Sequence, residues 1–340
     1  MEFSYNNTTN VFHCDDIEYI PIIRIDSEYN YNEYEVYFYY NHFASENDIY
    51  QVTCEGKRIG YIFPVEAIES NEHDKANDIY FLKYAFVAIN LLLKKLEKTQ
   101  IEETINLSEL FPDSQLLIVC RENLTNNKLE LEDYLLSLSE YGYSKNSYVY
   151  FPKQLTNLNS ANKVIPLHKI QKDIDSISYI KEEFYNLLPL QSDNPLVIFH
   201  RLYQFIEILI MELFNFQFKK FIDELDPQND DLFQKKEELD VLTSEKKRVR
   251  ILLNQCPGID ITIKNDLNAA CEKILNLYKH KISKDFADNL YEVRCCLFHS
   301  LYKFKKENEE FLFDINENLF LLLITIISSV SLEKISEGGE

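Results

Sequence analysis

From Asn194-Pro195 to Leu332 the chain repeats one pattern, apolar residues recurring every three or four positions, and that spacing predicts helix after helix. The predicted segments are 195–224, 231–254, 264–280, 284–303 and 315–332, separated by Pro227, Pro257-Gly258 and short polar breaks. Asn194 before Pro195 reads as a helix start. The amide side chain caps the first turn, and proline, lacking an N–H, fits the first helical position. Five helices in about 140 residues predict a bundle with short antiparallel connections.

The first part of the chain has a different texture. Glu35-Val36-Tyr37-Phe38-Tyr39-Tyr40, Ile49-Tyr50-Gln51-Val52-Thr53-Cys54 and Arg58-Ile59-Gly60-Tyr61-Ile62-Phe63 are rich in aromatic and β-branched residues, as strands are. The last two flank Glu55-Gly56-Lys57, a short glycine turn, and predict a β-hairpin. A helix is expected over 79–98, with Phe81, Leu82, Ala85, Phe86, Ala88, Ile89, Leu92, Leu93 and Leu96 on its apolar face. Its closing Lys94, Lys95 and Lys98 suit the negative end of the helix dipole. Further strands are expected at 116–120 and 147–151. Between 155 and 193 the chain turns polar (Asn157, Asn159, Ser160, Asn162), and a helix over 173–188 stops near Pro189. The predicted architecture is therefore an α+β N-terminal domain (1–165), a linker with a helix (166–193) and an all-α helical bundle (194–335). No internal repeat is visible.

With 340 residues, two domains are the prior expectation, and 46% hydrophobic residues supply a core for each. Neither G-x-x-x-x-G-K-[ST] nor G-x-G-x-x-G occurs, which excludes nucleotide hydrolysis by a P-loop. The net charge of −21 argues against a surface dedicated to DNA or membrane, so any nucleic-acid site has to be local. Seven cysteines, with no C-x-x-C spacing, suggest a reducing cytoplasm rather than a disulfide framework or a zinc site. His13, Cys14, Asp15 and Asp16 resemble a metal cluster by composition alone, and no metal or cofactor is expected. The start lacks the basic and apolar regions of a signal peptide. The apolar run 319–330 is about half to two-thirds of the ~20 residues that span a bilayer, and reads as a buried core helix.

Chemistry is concentrated in Tyr291-Glu292-Val293-Arg294-Cys295-Cys296-Leu297-Phe298-His299-Ser300. RNA carries its own nucleophile, the 2′-hydroxyl, so cleavage needs only a group that moves protons and a cation that stabilises the charge on the phosphorane. Imidazole, with an unperturbed pKa near ~6.5, suits the first role and guanidinium suits the second, which makes His299 and Arg294 the candidate catalytic pair. Five residues along a helix is about 500 degrees, leaving the two about 140 degrees apart. Cys295 and His299, at i and i+4, share a face.

This segment resembles the R-x4-H signature of the HEPN superfamily (higher eukaryotes and prokaryotes nucleotide-binding). The opening helix Asn194-Pro195-Leu196-Val197-Ile198-Phe199-His200-Arg201-Leu202-Tyr203-Gln204-Phe205-Ile206-Glu207 is similar to the first long helix of defence-associated members. The resemblance covers roughly 195–332. It implies a HEPN-like bundle, a homodimer whose two motifs share a cleft, and a metal-independent endoribonuclease leaving 2′,3′-cyclic phosphate and 5′-hydroxyl ends. It further implies a cytoplasmic, toxin-like effector of anti-phage defence and abortive infection, with RNA, tRNA included, as substrate and a phage or host component as activator. The residue after the arginine departs from the pattern: Cys295 stands where many active members have Asn.

Other readings stand beside these. The bundle could be a catalytically inactive dimerisation module in a sensor or scaffold, or could bind nucleotide or support nucleotide transfer without cutting RNA. Glu207 or Glu292 could hold Arg294 in a structural ion pair, and Glu292 and Cys295 are also candidate neighbours of the site. Lys246, Lys247, Arg248, Arg250 and Lys303 could guide RNA phosphates, or the run 246–250 could be a solvated face paired with Glu237, Glu238, Asp240 and Glu245. Cys296 reads as core. Tyr29, Tyr31, Tyr34, Tyr37, Tyr39 and Tyr40 could stack bases but more often form sheet faces.

Overall fold

The computed structural model describes residues 2–41, 44–96, 106–145, 163–169, 174, 180, 194–226, 228, 231–256, 258–300, 304–332 and 335. The chain divides into two compact units, Met1–His168 and Lys169–Glu340. The first is sheet-rich and the second helical.

The first unit opens with an antiparallel meander of β1 (Phe3–Asn6), β2 (Val11–Cys14) and β3 (Ile17–Tyr19). Strands of three or four residues leave too short an alternation to be read from sequence. His13 and Cys14 lie on β2, where Cys14 is buried, and Asp15 turns the chain with φ 53° while its carboxylate accepts from the Glu2 amide at 2.9 Å. The second sheet comprises β4 (Tyr34–Tyr40), β5 (Tyr50–Cys54), β6 (Lys57–Pro64), β7 (Ser114–Cys120) and β8 (Val164–Leu167). Its order is β4-β7-β6-β5-β8, with β8 parallel to β5. The predicted hairpin is β5–β6: Cys54 pairs with Lys57, and Glu55 and Gly56 take φ of 50° and 75°, the two positive angles of a turn whose twist matches the strands. At Gly60 the backbone of β7 comes so close that a β-carbon would run into the Ile118 carbonyl.

Helix α1 (Ile79–Leu96) buries all nine residues predicted for its apolar face. Phe86 lies at the centre of an aromatic cluster, with the rings of Tyr5, Phe12 and Tyr29 at 5.4, 5.3 and 5.7 Å. Tyr34 packs edge-on against Tyr84, and Tyr39 is buried, so these tyrosines are part of the unit's packing. Two short helices, α2 (Leu107–Leu110) and α3 (Arg121–Asn127), flank β7 in sequence. Because β8 pairs with β5 as far as Leu167, the sheet unit runs past the predicted boundary at 165. The strand expected at 147–151 lies outside the described residues, as does all but two positions of the helix expected at 173–188.

The second unit contains α4 (Pro195–Glu224), α5 (Leu232–Thr243), α6 (Glu245–Gln255), α7 (Ile261–Leu277), α8 (Phe286–His299) and α9 (Glu309–Ser329). The single helix expected over 231–254 is two. Ser244 leaves the helical region with ψ 111° and its hydroxyl caps α6 by accepting from the Lys247 amide. Asn194, Asp231, Asp260 and Asp285 cap their helices in the same way. The packing closes a ring: α4 touches α6, α6 touches α8, α8 touches α7, α7 touches α9, and α9 returns to α4. Five amphipathic faces thus share one core, while α5 buries no side chain. The apolar run 319–330 belongs to α9, at 21 residues longer than expected, and 67% of the helix's most apolar window is buried inside the unit.

Candidate functional site

Arg294 lies in the middle of α8 with its side chain only 20% exposed, turned toward α4 and α6. Its Nη2 donates to Glu207 Oε1 at 2.8 Å and lies 3.7 Å from Glu245 Oε1. The guanidinium also covers the Phe298 ring at 4.8 Å and faces Tyr203 at 5.8 Å. Helical spacing builds this cluster: His200, Tyr203 and Glu207 follow the i, i+3, i+7 stripe of α4, and Arg294 and Phe298 are i, i+4 on α8. Glu245 arrives from the first turn of α6, where the Ser244 cap sets the helix.

The electrostatics follow from burial and these partners. Burial alone would pull the Arg294 guanidinium down, but the Glu207 hydrogen bond and the charges of Glu245 and Glu207 outweigh it and hold the pKa up. Tyr203, with no exposed surface, is pushed up by burial and then by the charge of Glu245. His200 is pushed down by burial and by Arg294, with Glu207 opposing. Its ring stacks on Phe298 at 4.1 Å and 9°. His200 Nε2, Tyr203 Oη, Glu245 Oε1 and Arg294 Nε are all buried without a hydrogen-bond partner among the described residues.

His299 is the last residue of α8 and is exposed, on a different side of the helix from Arg294. Its side chain makes no hydrogen bond or ion pair among the described residues. The two members of the predicted pair are therefore on one helix but do not converge within one copy of the chain, as the five-residue spacing requires. Cys295 is half-buried beside Tyr291, whose pKa is pushed up to about 12 by burial and then by its hydrogen bond with Cys295. Glu292 does not meet Arg294. It accepts from Lys246 Nζ at 2.6 Å and lies 3.7 Å from His280 Nε2. Cys296 is buried, as expected of core.

The basic run is mostly paired: Lys246 and Arg250 meet carboxylates of α8 and its cap, and Arg248 meets a backbone carbonyl of α5. Arg250 donates through Nε and Nη2 to Asp288 at 2.7–3.1 Å and approaches Asp285 at 3.4 Å. Arg248 donates to the Leu242 carbonyl at 2.8 Å and lies over Phe214. Only Lys247 of the four presents an exposed charge without a side-chain partner among the described residues. Lys303 lies outside them. Among the described residues no group of three or more His, Cys, Asp or Glu side chains is placed to hold a metal ion.

A depression of about 440 Å³ opens at the other end of α8, lined by Asn254, Ile261, Lys264, Asn265, Asn268, Lys284, Asp285 and Phe286. Phe286 and Arg294 are eight residues apart, about 12 Å along the helix axis, so the concavity and the motif are separate features. The sequence reading named Glu207 as a partner of Arg294 but missed His200, Tyr203, Glu245 and Phe298. The stripe on α4 carried a signal for the first two; Glu245 had none, because only the packing of α6 brings it there. Comparison of the chain with family models, curated proteins and solved structures finds no match.

Proposed function

We propose that the helical unit is a HEPN-type, metal-independent endoribonuclease domain acting as a homodimer, and that the protein is a cytoplasmic, toxin-like effector of bacterial anti-phage defence. The observation that carries this reading is a largely buried arginine and an exposed histidine five residues apart on one bundle helix, Arg294 toward α4 and α6 and His299 at the helix end. In the proposed reaction the 2′-hydroxyl loses its proton and attacks the adjacent phosphorus, and the 5′-oxygen leaves with a proton. His299 moves protons and Arg294 stabilises the added charge on the phosphorane. The nucleophile belongs to the RNA, so the scheme contains no metal step. Since the two side chains diverge within one copy, the α8 of a second copy completes the cleft. The sheet unit is assigned the sensing of an activating phage or host component.

The test is cleavage of labelled total RNA and tRNA in EDTA. Wild type is expected to leave 2′,3′-cyclic phosphate and 5′-hydroxyl ends, and His299→Ala to lose roughly 10²- to 10⁴-fold in rate. Equal cleavage by His299→Ala, or other end chemistry, overturns the proposal.

One observation favours a second reading, a catalytically inactive dimerisation module in a sensor or scaffold. Arg294 is already engaged by Glu207 and Glu245, and Cys295 follows it where an Asn would offer a stronger hydrogen-bonding group. That reading predicts no RNA cleavage and unchanged partner binding in Arg294→Ala.

A further inference from the structure

His200 has no role in the scheme above, yet the structure gives it a special place. Its ring lies flat on Phe298, the residue between Cys296-Leu297 and His299, while the Arg294 guanidinium covers the same phenyl ring at 4.8 Å. One aromatic ring thus joins an imidazole of α4 to Arg294 on α8, and that ring belongs to the residue just before His299. Burying a polar nitrogen without a partner is unfavourable, and His200 Nε2 is buried in that way. A leucine or phenylalanine would fill the position without that penalty.

We propose that His200 is a positioning residue of the Arg294–His299 pair, its imidazole clamping Phe298 so that the last turn of α8 keeps both side chains in place. The role rests on the ribonuclease reading, but the clamp itself can be measured without it. The charges that act on the ring are Glu207 of its own helix and Arg294 of α8. Glu245 of α6 reaches the guanidinium. Protonation would set a second cation beside Arg294 around one phenyl ring, in a place where burial already opposes charge. Protonation of His200 is therefore expected to shift the arrangement that it shares with Phe298 and Arg294.

The experiment is NMR titration of the full chain, following the His200 imidazole, the Phe298 ring and the Arg294 Nε–H, with RNA cleavage measured in parallel. In wild type the Phe298 and Arg294 signals are expected to move together as His200 protonates, below the ordinary histidine range. In His200→Phe, which keeps a stacking ring and cannot be protonated, that movement disappears and cleavage at neutral pH stays close to wild type. His200→Ala removes the clamp and is expected to lower kcat about tenfold or more with KM unchanged. His200→Gln replaces His200→Phe should the larger ring prevent folding, and is also expected to abolish the coupled movement. The inference is overturned if the Phe298 and Arg294 signals ignore His200 titration in wild type, or if His200→Ala leaves them and kcat unaltered. A wild type that shows the coupled movement but cuts no RNA overturns the ribonuclease reading and leaves the clamp standing.

Discussion

Arg294 shows how much one side chain depends on its surroundings. A guanidinium that is 20% exposed has to be paired, since burying an unpaired charge costs several kcal/mol, and Glu207 supplies the direct bond at 2.8 Å. Removing Glu207 leaves Glu245 at 3.7 Å as the remaining carboxylate. Glu207→Ala is therefore expected to destabilise the helical unit by about 1–2 kcal/mol, the lower part of the range for a bond to a charged group, because Glu207 itself is partly solvated. Chemical denaturation checks this: the midpoint should fall with the slope unaltered, and Glu207→Gln, whose carbonyl still accepts, should recover part of the loss. An unaltered midpoint in Glu207→Ala would mean that Arg294 draws its support from Glu245 and the aromatic rings.

Among the elements, α6 and α8 are joined by a charged pair rather than by apolar contact alone. Asp288, on the first turn of α8, accepts from Arg250 of α6 and from the Ser283 hydroxyl. Burial would raise the Asp288 carboxyl, but Arg250 and Ser283 bind its charged form and the balance lies below the ordinary value. A carboxylate whose pKa is depressed on folding stabilises the fold above its unfolded value near ~3.9, and that contribution is lost as pH falls through the folded value. Asp288→Asn is expected to cost roughly 1.5–3 kcal/mol at pH 7. The deficit should begin to shrink as the pH is lowered below about 4, where the unfolded carboxyl takes up a proton, and go on shrinking as the pH falls toward the lower folded value. Thermal unfolding of both proteins between pH 7 and pH 3 measures it; a constant difference over that range would show that Asp288 acts by shape and not by charge.

At the level of the whole molecule, two units with separate cores are expected to fold separately. Residues 1–168 and 169–340, expressed apart, should each unfold in one cooperative transition by circular dichroism. A fragment without such a transition would show that its core needs the other. Much of this organisation was legible in the sequence. The periodicity of 195–332 gave a helical bundle, Asn194-Pro195 gave the start of α4, and Glu55-Gly56 gave the β5–β6 hairpin, since capping, proline geometry and positive φ act over a few neighbouring residues. The break at Ser244 was not legible, because a helix and two capped helices share one apolar period. The meander β1–β3 and the parallel strand β8 also escaped, their strands being too short for alternation and, for β8, the partner more than a hundred residues away. For the candidate site, the sequence by itself determined that Arg294 and His299 share one helix and point apart, because helical rotation fixes that angle. Only the tertiary structure decided which charges and rings surround the arginine: Glu207, Glu245, His200 and Phe298 come from three helices, and packing brings them together where no local rule does.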